Sequence, residues 1–180
     1  MKHPVHQHHH RRKKRHLPLG LSGFLSFLEG VESGFAITTG ILLGLSFQIN
    51  SRHLLITTAC LTIIVNAVNS AAVKYSSEHT LDELDGREKH KVVLNSLSPA
   101  LVQFVTHVFV AALILVPAIV LPIANGILVS LFLTLVLLGC AGWYRGTTLH
   151  SHPLRDALET IFLGMLIMAT GALAGWMLSL

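Results

Sequence analysis

Residues Leu17 to Phe47 read LPLGLSGFLSFLEGVESGFAITTGILLGLSF, 31 consecutive residues whose only charged side chains are Glu29 and Glu32. The hydrocarbon core of a bilayer, roughly 30 Å thick, takes about 20 apolar residues of helix. This stretch crosses with residues to spare, since as a helix it would reach about 46 Å. It therefore tilts, breaks or begins outside the bilayer. Four more stretches repeat the pattern: Leu54 to Val73, Leu97 to Leu121, Gly126 to Tyr144 and Ala157 to Leu180. The five hold 119 of the 180 residues, and the only further acid or base inside them is Glu159. The chain is 52% hydrophobic and 12% charged, whereas a soluble domain is about a quarter charged. That composition argues against a soluble enzyme. Span length and the absence of period-2 alternation exclude a membrane barrel. The expected fold is an all-α membrane protein with five transmembrane helices, not an enzyme and with no nucleic-acid partner.

The cations set the expected topology, because Lys and Arg in short loops resist translocation. With five spans, the N-terminal tail, Lys74 to Ser96 and Arg145 to Asp156 share one side and carry 12 of the 13 cations; only Arg52 falls opposite. The N-terminus is expected in the cytoplasm and the C-terminus outside or in a lumen. The first stretch has no short apolar region followed by a small-residue cleavage site, so it reads as a retained span rather than a signal peptide. Cys60 and Cys140 both fall inside spans, which speaks against a disulfide framework. The chain divides into a basic, His-rich cytoplasmic tail (1–16) and a five-helix membrane domain (17–180) with a short acidic helix-loop at about 74–96. The tail's run Arg11 to Arg15 reads first as an anchor to anionic lipid, and its histidines suit a transition metal.

Polar residues inside the spans point to function. Glu29 and Glu32 lie three apart on one helical face, and a carboxylate deep in lipid costs several kcal/mol unless it faces protein, a partner or water. Both are expected to look inward, with Gly30 and Gly34 letting another helix approach or the backbone open. In the second span Thr58, Thr62, Asn66, Asn69 and Ser70 form a polar stripe, suited either to hydrogen bonding between helices or to offering oxygen ligands. Either use needs the stripe inside. Beyond Val73 the helical pattern continues through Glu78, His79, Asp82, Glu83 and Asp85 towards Glu88 and His90. This segment either gathers divalent cations or is a solvated face held by local ion pairs. Gln103 and His107 sit one turn apart in the third span, where a lone His reads as a hydrogen-bonded bridge between helices. Met165 and Met168 read as packing. Small-xxx-small pairs at Gly30/Gly34, Gly40/Gly44 and Gly171/Gly175 permit close helix packing, within a bundle or between copies.

Three local patterns, with the order of the spans, resemble the vacuolar iron transporter family of yeast and plants. Leu28-Glu29-Gly30-Val31-Glu32-Ser33-Gly34-Phe35-Ala36 is similar to the family's acid-Gly followed by Phe-Ala, with Glu29 where the family has aspartate. Tyr75-Ser76-Ser77-Glu78-His79 followed by Arg87-Glu88 resembles its exit from helix 2, and Arg155-Asp156-Ala157-Leu158-Glu159 with Gly164 and Gly171 its last helix. The resemblance spans Gly20 to Leu180. It implies five helices, a cytoplasmic N-terminus and proton-coupled export of Fe²⁺ or Mn²⁺ from the cytoplasm. Two departures stand out. Where the family's second helix has a glutamate and, two turns on, a methionine, this chain offers Thr58 or Thr62, then Asn66 or Ser70, and the family's long acidic insertion shrinks to Lys74 to Ser96.

These readings combine into an expected transporter of divalent transition metal, Fe²⁺ or Mn²⁺, out of the cytoplasm in exchange for protons. Its expected metal residues are Glu29, Glu32, Asn66, Asn69, Glu78 and Asp82. The metal is substrate, and no permanently bound cofactor is expected. Protons compete with metal for the two carboxylates, the bilayer is the surroundings, and a homodimer is the expected assembly. The membrane would be the plasma membrane in a prokaryote and a vacuolar-type membrane in a eukaryote. The alternative is a non-transporting membrane scaffold, or a carrier of another solute, on the same fold.

Overall fold

A computed structural model describes residues 20–84 and 89–180. Five helices follow one another: α1 (Gly20–Ser46), α2 (Arg52–Leu84), α3 (Lys89–Val120), α4 (Ile123–Leu149) and α5 (Pro153–Leu178), with no strand among the described residues. Each is long and apolar enough to cross a membrane. The fold class and helix count match the sequence reading. The tail at 1–16 lies outside the described residues.

Local chemistry sets the helix ends. Pro122 precedes α4 and Pro153 opens α5, positions where the missing amide proton costs nothing. His150 closes α4 in the left-handed conformation (φ 59°), and its N–H returns to the Gly146 carbonyl, the usual way a helix satisfies its last acceptors. Arg52, the one cation expected on the far side, donates to the Ala118 (3.2 Å), Ile119 and Leu121 carbonyls at the end of α3. A cation there complements the negative end of the helix dipole.

The first span neither breaks nor opens. α1 runs 27 residues without interruption and packs against all four other helices, flanked by the α2–α3 and α4–α5 hairpins. Its glycines serve close approach: a Cβ on Gly30 would lie 2.8 Å from the Gln103 carbonyl oxygen of α3, and one on Gly44 would lie 2.7 Å from the Gly171 oxygen of α5. All three small-xxx-small pairs are therefore used inside the chain. α2 continues 33 residues to Leu84, and α3 begins at Lys89, earlier than the apolar stretch from Leu97. Together they extend beyond the apolar stretches at the bundle end that carries Lys74 and Arg145.

Side chains are sorted as a membrane demands. Ser26, Thr38, Thr39, His107, Ser130 and Thr134 are fully buried, while Phe109 and Phe132 are about seven-tenths exposed (72% and 71%). Lipid exerts no hydrophobic pressure on Phe, so small and polar groups that pack and hydrogen-bond take the interior. Thr39 and Thr134 illustrate this with a buried 2.6 Å hydroxyl pair joining α1 to α4.

Candidate metal path

The two carboxylates of α1 are both met by cations from other helices. Lys74 Nζ of α2 lies 3.1 Å from Glu29 Oε1 and 3.0 Å from Oε2. Arg145 Nη1 of α4 lies 3.1 Å from Glu32 Oε1 and 3.4 Å from Oε2. The outward turn of Glu29 departs from the inward orientation expected of it, because its side chain is 47% exposed and leans on Lys74. Glu32, at 26%, is the more enclosed. Ion pairing across helices is what lets two acids one turn apart stay in the bundle, since each charge is matched where water is scarce. The sequence signal for the partners was position: Lys74 directly follows Val73, and Arg145 directly follows Tyr144, each at the edge of an apolar stretch.

Glu29 and Glu32 line one cavity of about 310 Å³ with Ser33, Gln103 and Thr160 among its polar residues. Gln103 is buried, and its Oε1 has no hydrogen-bond partner, an acceptor left open beside two acids. Gln103 and Thr160 were absent from the expected metal residues; α1 and α3 had to be seen crossing at Gly30 for Gln103 to be found there. At the wall of this cavity Ser33 Oγ sits 3.0 Å from His107 Nδ1, so the intramembrane His bridges α1 and α3.

The second-span stripe is not brought to this cavity. Leu55, Ala59, Ile63 and Ala67, four apart, form the buried face of α2, with the stripe along its flank. The stripe is thus split: Thr62 and Asn69 are exposed and face outward within a single chain, against the inward placement expected of them, while Thr58, Asn66 and Ser70 are part-buried. Asn66 Nδ2 has no partner.

Past Val73, the acidic end of α2 is knitted by local pairs. Glu78 Oε1 is 3.3 Å from Lys74 Nζ, and His79 Nε2 is 3.5 Å from Glu83 Oε1 with its ring stacked on Tyr75. Asp82 is buried. Asp85 and Glu88 lie outside the described residues, as does the side chain of His90. Met168 is buried and Met165 exposed, which places the two on different faces of α5. Among the described residues no three His, Cys, Asp or Glu side chains gather closely enough to hold a metal ion; neutral oxygens have to complete any site.

No curated protein matches this sequence. The VIT family model matches residues 76–176, more than half the chain, running from the last turns of α2 through α3 and α4 into α5. Five membrane-capable helices, paired acids in the first of them and this match agree, and the chain belongs to the VIT family of vacuolar iron transporters, which carry metal ions across membranes.

Proposed function

We propose that this chain exports Fe²⁺ or Mn²⁺ from the cytoplasm in exchange for protons, through the cavity lined by Glu29, Glu32 and Gln103. The observation that carries the reading is the convergence there of two carboxylates with a buried, unpartnered amide oxygen. An all-oxygen set of this kind suits hard, borderline divalent ions and gives no thioether preference. Ser33 and Thr160 supply further neutral oxygens at the cavity wall.

The bundle end with Lys74 and Arg145 is the cytoplasmic one, by the distribution of cations. Ion loading releases the carboxylates from their basic partners, and unloading towards the other side exposes them to protons. Since a proton and a divalent ion cannot share one carboxylate lone pair, an inward proton gradient drives metal outward.

A second copy of the chain completes the assembly at α2. Its exposed polar residues Thr62 and Asn69 are costly against lipid, and pairing two such faces in a homodimer gives the Asn69 amide a partner.

The test is reconstitution. Purified protein in liposomes should accumulate Fe²⁺ or Mn²⁺ in the compartment on the far side when that compartment is acidic, and should acidify the other side as it does so. Metal-independent proton movement, or no metal flux under any gradient, overturns the reading.

A further inference from the structure

We propose that Lys74 is a tethered surrogate for the transported ion, occupying Glu29 in the empty protein and shuttling to Glu78 when a divalent cation arrives. The inference rests on the metal-transport reading and adds to it a residue that sets the affinity of the path.

Three distances define the arrangement. The Lys74 ammonium contacts both oxygens of Glu29, at 3.0 and 3.1 Å, and an oxygen of Glu78 at 3.3 Å. Glu29 belongs to the membrane-spanning part of α1, and Glu78 stands one turn beyond Lys74 on α2, on the side away from the membrane. The lysine side chain is only 13% exposed, so its charge is committed to these two acids. A divalent ion that takes Glu29 must displace the ammonium, because both need the same pair of oxygens. Without an alternative partner the displaced charge would be stranded in a partly buried place. Glu78 provides that partner at a cost of a small swing of the side-chain tip, along a helix that need not move.

Residue type fits the role. A lysine is a compact charge on a flexible four-carbon stem, while an arginine presents a rigid planar fork that stays where its partners are. The pair at Glu32 uses Arg145, the holding kind of cation. The pair at Glu29 uses the mobile kind, and there the structure supplies a second carboxylate, Glu78, within reach of the same nitrogen. A simple staple between α1 and α2 would need one acid, not two at successive depths.

The experiment measures Mn²⁺ binding to the purified full chain by the loss of the free-ion electron spin resonance signal, alongside transport in liposomes. Lys74→Met keeps the stem and removes the competitor; its Mn²⁺ dissociation constant should fall about two- to fivefold, the scale of one partly enclosed ion pair. Lys74→Arg should leave it unchanged or raise it. The wild-type protein supplies a measurement that does not depend on a variant folding: saturating Mn²⁺ should increase labelling of Lys74 by an amine-reactive reagent several-fold, read by mass spectrometry. Unchanged labelling, or a Lys74→Met protein that binds Mn²⁺ no more tightly than wild type, overturns the surrogate role while leaving the transport reading intact. Wild-type protein that neither binds nor moves metal overturns both.

Discussion

Ser33 on α1 and His107 on α3 are joined by a 3.0 Å hydrogen bond between Oγ and Nδ1, near the middle of the spans Leu21–Ser46 and Asn95–Val120. His107 is fully buried and its other ring nitrogen has no partner, so this bond links the imidazole to the neighbouring helix. It lies one residue beyond Glu32 and ties that turn of α1 to α3. Ser33→Ala should therefore cost about 1–3 kcal/mol, the penalty for an orphaned buried polar group. A thermal unfolding midpoint in detergent equal to wild type would show that the bond fixes nothing.

Glu29 and Glu32 should separate when each is replaced by glutamine. Glu29 is half exposed, so losing its pair with Lys74 costs stability no more than about 1 kcal/mol, yet Glu29→Gln should abolish metal-driven transport. Glu32→Gln leaves Arg145 without its carboxylate in a more enclosed place and should lower stability as well as transport. Unfolding midpoints and liposome flux measured on the same two preparations check both halves. Wild-type flux from Glu29→Gln would remove that residue from the path.

Gln103→Leu should move stability and metal affinity in opposite directions. The amide oxygen has no partner, and replacing an unsatisfied buried polar group by an apolar one of similar size is neutral or favourable by about 1 kcal/mol. Losing a neutral ligand should raise the Mn²⁺ concentration for half-maximal transport several-fold. Unchanged half-saturation would mean that Gln103 only lines the cavity wall.

Asn69 is exposed and Asn66 part-buried on α2, both away from the cavity at Glu29 and Glu32, and their joint replacement by alanine should act on assembly before it acts on the ion. Interhelical amide bonds in membranes are worth about 1 kcal/mol each, so the double variant should shift a dimer towards monomer in sedimentation measurements in detergent. Metal dissociation constants should stay within about twofold, since that energy is spent between copies rather than on the ion. The reverse pattern, intact assembly with weakened binding, would return the two amides to the metal shell.

The sequence alone determined the five spans, because a bilayer imposes a minimum length and a near absence of charge on any helix that crosses it, and the stretches from Leu17 to Leu180 obey both. The limits of the apolar stretches placed the ends to within a few residues at α4 and less closely at the start of α3, whose first turns are polar enough to look like loop. The bridging role of His107 was also legible, since a lone imidazole in a span has few other uses. Which way each polar face turns was decided only in the tertiary structure. In water an apolar stripe must go inside, but in lipid both the interior and the surroundings accept leucine and valine, so the inward face of α2 is selected by how Ala59, Ile63 and Ala67 fit α3. The pairing of Glu29 with Lys74, across 45 residues of chain, has the same origin. It depends on α1 meeting α2 at one depth and one rotation, set by glycine contacts with α3 and α5 that hydropathy does not encode.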